Sequence, residues 1–293
     1  MADLPDISII GPGKVGTALG VLAARAGWPV AAIAGRSRRN TKWAAECIGG
    51  AVKVCTPAEA AAAGGLVLLT VPDDAIAAVC RQLAAEKAFR PRGVVAHCSG
   101  ALGSDVLGPA REACGCSVGS MHPLQTFPTV KAAIEKLPGA YFFTEGDAAA
   151  VETLKLLARS IGGKSVCIAP EAKALYHAAA VTACNYLAAL LDAAAALGEK
   201  AGVDRRTGLS ALEPLVRATV ENVFAMGPAG ALTGPIERGD VETVRRHLEA
   251  MQACGDELNI AFRAMGRLTV DLALRKGSIT GSKADEMMRL LKE

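Results

Sequence analysis

The stretch ISIIGPGKVGTALG, residues 7–20, decides the fold of the first half of this chain. Its isoleucines form a short β-branched strand, the glycine turn GPGKVG at residues 11–16 follows at once, and a helix-forming stretch comes next. A strand, a GxGxxG turn and a helix N-terminus in this order are typical of a dinucleotide-binding βαβ unit. Gly11 permits the tight turn, Gly13 lets a pyrophosphate approach the backbone, and Gly16 lets the helix pack closely on the strand.

The end of the second apolar strand predicts which dinucleotide is bound. The strand PVAAIA, residues 29–34, leads into Gly35-Arg36-Ser37-Arg38-Arg39, where NAD-binding chains place a carboxylate for the ribose 2′-hydroxyl. This segment has no carboxylate, and arginine forks bind a 2′-phosphate dianion that a carboxylate would repel. The sequence therefore predicts NADP(H) as cofactor. The predicted cofactor-binding residues are Gly11, Pro12, Gly13, Lys14, Val15, Gly16, Gly35, Arg36, Ser37, Arg38, Val71 and Pro72.

Length and composition set the bounds on class and compartment. With 293 residues, 51% of them hydrophobic, the chain can fill two domain cores. A net charge of +3 without an aromatic-rich basic patch argues against nucleic acid as a partner. Nine scattered cysteines without a CxxC pair predict reduced thiols and no metal site. The N-terminal residues lack the pattern of a secretion signal, so we expect a cytoplasmic protein with no membrane partner.

The first half alternates apolar strand candidates with helical stretches. Such strands, buried as continuous apolar runs, are typical of a parallel, doubly wound α/β sheet of the Rossmann type. The candidates are residues 7–10, 30–34, 66–71, 94–97, 117–121, 141–144 and 165–168, with helices at residues 41–48, 74–86 and 147–161 between them.

Only helical periodicity follows Ile168. The sequence therefore predicts a Rossmann domain over residues 1–168 and an all-helical domain over residues 169–293 that serves substrate binding and dimerisation. The charge-free run of residues 178–191 is too short to span a bilayer, and we expect it to be a buried core helix. Because the Ala/Leu-rich helices carry more apolar surface than a bundle of this size can hide, we also expect a homodimer.

Polar residues at the carboxyl ends of strands mark a candidate catalytic cleft. His97 and Ser99 end one predicted strand, in VVAHCSGAL, and His122 ends the next, in VGSMHPLQTF. Ligands of open α/β sheets bind at this edge. Asp73 and Asp74, after another strand, are read only as helix caps.

The first helix of the second domain adds polar residues on an otherwise apolar surface. Lys173, His177 and Asn185 follow one slowly drifting stripe of EAKALYHAAAVTACNYLAAL, which predicts a face directed into a cleft. His177 or Lys173 would supply a proton to a substrate atom. In the later loop LTGPIERGD, Thr233 and Arg238 are candidates for binding an anionic substrate, while Asp240 is expected to cap a helix.

These motifs carry a family resemblance over essentially the full length. GPGKVG with GRS, HCSG, HPLQTF, YHAAAVTACNYLAAL and LTGPIERGD resemble predicted dehydrogenases that join a Rossmann-like NADP-binding domain to a helical C-terminal domain of unknown function. That family is similar to pyrroline-5-carboxylate reductase, ketopantoate reductase and the 3-hydroxyacid dehydrogenases, in which a second-domain helix closes over the nicotinamide. The hydroxyacid dehydrogenases carry a Lys and an Asn four apart on that helix. Lys173 matches their lysine, but His177 replaces the asparagine. The HP of HPLQTF is similar to a motif of prephenate dehydrogenases, which implicates His122.

The residues and the resemblance together predict an NADP(H)-dependent oxidoreductase. Its substrate is expected to be a small carbonyl or imine compound bearing a carboxylate, such as a 2-oxo acid. A non-catalytic NADP(H) sensor or scaffold is the alternative from another class, and a prephenate-dehydrogenase-like or deazaflavin-linked enzyme is a further one. The expected catalytic residues are Ser99, His122, Lys173, His177 and Asn185.

Overall fold

The computed structural model describes residues 4–292, and the chain divides into two compact units, Met1–Thr182 and Ala183–Glu293. The first unit is an eight-stranded sheet of order β3-β2-β1-β4-β5-β6-β7-β8. The strands are β1 (Ile7–Ile10), β2 (Val30–Ala34), β3 (Lys53–Val54), β4 (Leu66–Leu69), β5 (Val94–His97), β6 (Ser117–Pro123), β7 (Tyr141–Gly146) and β8 (Lys164–Cys167).

Helices cover both faces of this sheet. Side chains alternate between the faces, so Ile7 and Ile9 of β1 join one buried cluster while Ile10 joins the other. The central strands β1, β4 and β5 are buried at every position, as continuous apolar runs predict. The helices of this unit are α1 (Lys14–Arg25), α2 (Arg38–Ile48), α3 (Pro57–Ala63), α4 (Asp73–Ala85), α5 (Gly108–Cys114), α6 (Val130–Lys136) and α7 (Ala148–Ser160).

The predicted Rossmann-type α/β class is confirmed, with one departure from a parallel sheet. Strands β6 and β7 pair antiparallel, with Ser120 opposite Glu145 and His122 opposite Phe143. All other neighbouring strands of the sheet are parallel. The short elements β3, α3, α5 and α6 were not predicted, because segments of two to seven residues carry too little periodicity.

The helical region begins with α8 (Lys173–Lys200), which crosses the division between the units. Its first turns belong with the sheet, so the division between the two compact units falls after Thr182, while the predicted domain boundary after Ile168 stays a prediction. The remaining helices are α9 (Arg205–Ala231), α10 (Val241–Met251), α11 (Asp256–Lys276) and α12 (Gly281–Leu290). Val244, Val270 and Met287 lie in the core shared by α10, α11 and α12, and Asp240 caps α10 through Thr243 as predicted.

The prediction that residues 178–191 form a buried core helix is wrong for the single chain. Most of its side chains are exposed, and only 6% of the apolar window of Pro170–Lys200 is buried. By length and composition alone this helix could cross a membrane, contrary to the expectation from its charge-free run, but one such helix is weak evidence of a membrane protein. Apolar residues were expected to be buried, and here they point away from the core of their own chain.

Candidate active site

The glycine turn has the geometry that the sequence predicts. Gly11 adopts a φ of +92°, which favours glycine, and a Cβ there would lie 2.5 Å from Val71 Cγ1. A Cβ on Gly16 would meet Ile9 Cγ2 at 3.0 Å, so helix α1 packs directly on the strand. A Cβ on Gly13, in contrast, would meet nothing within 4 Å. Open space beside the N-terminus of α1 fits a phosphate group approaching the backbone.

A cavity of about 710 Å³ extends from this turn along the carboxyl ends of β1, β2 and β4. Among the predicted residues of the glycine turn, Lys14, Val15 and Gly16 are not in its lining: Lys14 is exposed, Val15 packs on the sheet core, and Gly16 is buried against Ile9. The sequence reasoning missed Asn40 and Gln82, because neither belongs to a recognised motif. The cavity is lined by Ile10, Gly11, Pro12, Gly13, Gly35, Arg36, Ser37, Asn40, Thr41, Pro57, Thr70, Val71, Pro72, Ala75, Val79, Gln82 and Leu83.

The arginines after β2 do not all line the same cavity. Arg36 and Ser37 line the cavity, whereas Arg38 faces a separate surface pocket with Arg39, Lys42 and Trp43. The prediction that Arg38 joins Arg36 is therefore not supported by its position. Helix α2 begins at Arg38, the residue after its cap Ser37. The Ser37 hydroxyl caps this helix by accepting a bond from the Asn40 amide.

A second cluster forms where the N-terminal turns of α8 meet β6 and β7. Tyr176 is its central residue. The sequence did not predict it, because the polar stripe of the helix was defined by Lys173, His177 and Asn185. Its hydroxyl lies 2.7 Å from Nδ1 of His122, and its ring stacks on Phe143 with the centroids 4.2 Å apart. Because His122 and Phe143 are paired across the two strands, Tyr176 contacts both members of one cross-strand pair.

Burial keeps both members of the Tyr176–His122 hydrogen bond neutral near pH 7. Desolvation lowers the pKa of His122 to about 4, and the positive charge of Lys173 contributes in the same direction. Desolvation also raises the pKa of Tyr176 to about 12. A neutral imidazole can replace the proton that a neighbouring phenol gives up, because one ring nitrogen donates a proton while the other accepts one.

His177 approaches the same point from the next position of α8. Its ring lies 6.0 Å from that of His122, and its Nδ1 is buried without a hydrogen-bond partner among residues 4–292. Both rings crowd Gly100, where a Cβ would lie 2.6 Å from His177 Nδ1 and 2.9 Å from His122 Nε2. Glycine is therefore required at residue 100 for the two imidazoles to converge.

Ser99 lies at the predicted edge, but its hydroxyl is fully engaged. Its Oγ donates to Asp73 Oδ2 at 2.7 Å and accepts from the amides of Ala101 and Leu102. His97 stabilises the same loop, because its Nδ1 accepts from the Ser99 amide and its Nε2 then donates to the Gly103 carbonyl. These bonds hold the loop that carries Gly100, and they bring in Asp73, which the sequence suggested only as a cap.

Lys173 does not face a cleft, contrary to the prediction from the polar stripe. It is almost fully buried, its Nζ donates to Ser120 Oγ, and it lies 3.7 Å from Glu145 Oε1. Burial lowers the pKa of Lys173, while the Glu145 carboxylate opposes that fall. The stripe was misread because Glu145, the partner that makes an inward lysine tolerable, lies on a distant strand.

The remaining candidates belong to the second unit. Asn185 is an exposed residue further along α8, and Thr233 and Arg238 lie in the connection between α9 and α10. Their roles stay predictions. Among residues 4–292, no group of three or more His, Cys, Asp or Glu side chains is arranged to hold a metal ion.

Comparison with known families assigns the two halves separately. Residues 3–123 match the model of a Rossmann-like domain, and residues 140–269 match a domain of unknown function, DUF2520. The resemblance inferred from the motifs, a Rossmann-like domain followed by a helical domain of unknown function, is confirmed. No curated protein matches the chain.

Solved structures share the fold over nearly the whole length. Protein TM1727 from Thermotoga maritima is 26% identical, with a TM-score of 0.73 over 92% of this chain and 99% of that one. A reductive aminase from Aspergillus terreus, in complex with NADPH4, cyclohexanone and allyl amine, is 18% identical, with a TM-score of 0.64 over 97% and 99%. A pyrroline carboxylate reductase from Plasmodium falciparum, with NADP bound, is 14% identical, with a TM-score of 0.55 over 98% and 98%.

Proposed function

We propose that this chain, which joins a Rossmann-like domain to a DUF2520 domain, is an NADP(H)-dependent oxidoreductase that acts on a small carbonyl or imine compound. One observation carries the proposal. The edge of the sheet that bears the glycine turn and Arg36 also bears the neutral Tyr176–His122 pair. A dinucleotide site and a proton-transfer pair at one edge are what hydride chemistry requires.

The solved relatives support this proposal by their names. The Plasmodium falciparum protein is a pyrroline carboxylate reductase with NADP bound, and the Aspergillus terreus protein is a reductive aminase in complex with a ketone and an amine. A 2-oxo acid or a cyclic imino acid combines the reducible C=O or C=N group with a carboxylate. We therefore infer a substrate of this class.

The residues of this chain divide the work of binding and proton transfer. Arg36 and Ser37 would hold the 2′-phosphate of NADPH, which supplies the hydride when bound. As the substrate heteroatom gains electrons, the Tyr176 hydroxyl donates its proton to it. His122 then donates its Nδ1 proton to the Tyr176 phenolate while its Nε2 takes up a proton from solvent, so that the imidazole stays neutral. In the oxidising direction the same protons move in reverse.

The other predicted residues take supporting roles in this proposal. His177 offers an unpartnered Nδ1 for a second hydrogen bond near the reacting group. Ser99 and Asp73 hold the Gly100 loop in place. Asn185, Thr233 and Arg238 stay proposed contacts to the substrate, with Arg238 the candidate partner of its carboxylate.

A paired binding and turnover experiment tests the function. Fluorescence titration compares NADPH with NADH, and NADPH oxidation at 340 nm is then followed against a panel of 2-oxo acids and cyclic imines. We expect tighter binding of NADPH and turnover of at least one panel member. Binding without turnover of any member would favour a sensor or a deazaflavin-linked reaction, and binding of neither nucleotide would overturn the proposal.

The two arginines after β2 give a matched pair of variants. Arg36→Ala should weaken NADPH binding about 10- to 100-fold, because a charge-assisted phosphate contact contributes about 1.5–3 kcal/mol. Arg38→Ala should change it less than about threefold, since this exposed side chain lies outside the cavity. Binding of NADH should be nearly the same in both variants. If Arg36→Ala and Arg38→Ala lost equal affinity for NADPH, lining the cavity would not determine which arginine contacts the 2′-phosphate.

The exposed apolar helices support a proposed homodimer. Phe224 is 87% and Leu215 is 62% exposed on α9, and exposed apolar patches of this kind mark interaction surfaces. We propose that a second copy of the chain covers them, in keeping with a cytoplasmic protein. Phe224→Glu should convert the dimer to a monomer in light scattering, whereas Leu156→Glu, on α7 of the first unit, should not. A monomeric wild-type protein, or one that partitions into vesicles, contradicts the proposal.

A further inference from the structure

One face of β6 and β7 carries two cross-strand residue pairs, and residues three apart on α8 contact one pair each. Ser120 lies opposite Glu145, and His122 lies opposite Phe143 one step further along the strands. Lys173 contacts the first pair, and Tyr176, three residues later, contacts the second. Residues three apart on a helix lie on one face, so a single helix turn bridges both pairs.

The contact of Lys173 with the first pair belongs to a buried hydrogen-bond network, in which both carboxylate oxygens of Glu145 accept hydrogen bonds. Glu145 Oε1 accepts from the Ser104 amide at 2.9 Å and from Ser120 Oγ at 2.5 Å, and Oε2 accepts from Ser104 Oγ at 2.7 Å. Lys173 is 2% exposed and Glu145 is 1% exposed. Substrate could reach the Lys173 ammonium only by displacing these contacts, which removes it from the candidates for direct proton donation.

We propose that the buried Lys173–Glu145 pair, together with the Ser120 hydroxyl that links its two members, is a positioning device for the proposed active site. It fixes the first turn of α8 on β6 and β7, so that Tyr176 meets His122, and it keeps a positive charge close to the His122 ring. This inference rests on the proposed function for its catalytic consequence, although the geometry and the charge can be tested without turnover.

Stability alone does not account for such a pair. An apolar pair of similar volume is often at least as stabilising as a buried ion pair, because the free energy of desolvating two charges offsets much of their attraction. An ion pair does, however, specify one register of the helix on the sheet, since any shift would leave a charge buried and unpaired. A fixed register is what the hydrogen bond between Tyr176 and His122 requires.

Besides Lys173, few charged or titratable groups affect the pKa of His122. Lys173 and His177 of α8 both lower the pKa of His122 electrostatically, Tyr176 of α8 is hydrogen-bonded to it, and Asp73 at the start of α4 opposes them. Cys98, on the loop after β5, also lies near Lys173, but burial raises its thiol pKa to about 12, so it carries no charge near pH 7. Removing the Lys173 charge should therefore raise the pKa of His122.

Nuclear magnetic resonance of the four histidines provides the direct test. The Cε1 proton of His122, assigned with a His122→Gln variant, is titrated in the wild type, in Lys173→Met and in Lys173→Met/Glu145→Gln. Burial, the main cause of the low pKa of His122, stays in both variants, so we expect this pKa to rise only by the part that Lys173 contributes, and to rise more in the single variant, which leaves a carboxylate unpaired. The His247 signal, from the second unit, is the internal control.

A third variant separates position from charge. Ser120→Ala removes the hydroxyl that Lys173 contacts and keeps both charges, so it should lower kcat more than tenfold while the His122 titration stays near the wild-type one. Lys173→Met/Glu145→Gln should lower kcat and shift the acid limb of the pH profile upward, with NADPH affinity unchanged.

The outcomes distinguish this inference from the proposed function. An unchanged His122 titration in the Lys173 variants, or unchanged kcat in Ser120→Ala, overturns the positioning device. If both Lys173 variants fail to fold, the Ser120→Ala kcat decides it. Failure of the wild type to oxidise NADPH overturns the proposed function, and the titration then still decides whether Lys173 controls the protonation of His122.

Discussion

Tyr176→Phe is expected to lower kcat by about 10²- to 10⁴-fold, the usual contribution of a positioned proton donor. The substitution removes only the hydroxyl that lies 2.7 Å from His122 and keeps the ring that stacks on Phe143. NADPH affinity should therefore stay unchanged, since no atom of Tyr176 lines the nucleotide cavity. Steady-state NADPH oxidation with the best substrate of the panel gives kcat, and fluorescence titration gives the affinity.

The same helix provides the control for this variant. Tyr186 is an exposed tyrosine on α8, and Tyr186→Phe should keep wild-type kcat. His122→Gln should lose about as much activity as Tyr176→Phe, and the double variant little more, because residues that act as one unit give non-additive losses. Strictly additive losses, or a Tyr176→Phe variant with normal kcat, would show that the pair does not transfer the proton.

Gly100→Ala is expected to reduce kcat by about 10²-fold, because displacing catalytic groups by an ångström costs on this order. The new methyl group would lie 2.6 Å from His177 Nδ1 and 2.9 Å from His122 Nε2, which pushes both imidazoles out of place. The nucleotide cavity does not include Gly100, so NADPH should bind with wild-type affinity. Kinetics and nucleotide titration on the same preparation measure both quantities.

Gly103→Ala is the matched control in the same loop. A Cβ there would meet only Asp105 Oδ1, at 2.6 Å, and the flexible Asp105 side chain can move aside. We expect nearly normal kcat for Gly103→Ala and equal thermal stability for the two variants. A Gly100→Ala enzyme with full activity would mean that the convergence of His122 and His177 is not used.

The architecture and the glycine turn could be predicted from the residues alone, because their signals are local. Gly11 adopts its turn and Gly16 its close packing through contacts between neighbouring elements, so strand, turn and helix can be recognised in one short stretch. The apolar runs of β1, β4 and β5 likewise identify a buried sheet. Arg36 could be predicted for the same reason, since it directly follows β2.

Which polar residues form the candidate catalytic cluster, and which way each one faces, depends on contacts between distant segments of the chain. The helical stripe favoured Lys173 as a cleft residue, but Glu145 on β7 draws it into the interior. Tyr176 was overlooked because its partner His122 is 54 residues away in the chain, across a β6–β7 pair whose antiparallel direction no local pattern indicates. Periodicity reports which face of a helix is apolar, whereas the identity of the groups opposite that face depends on contacts between distant segments.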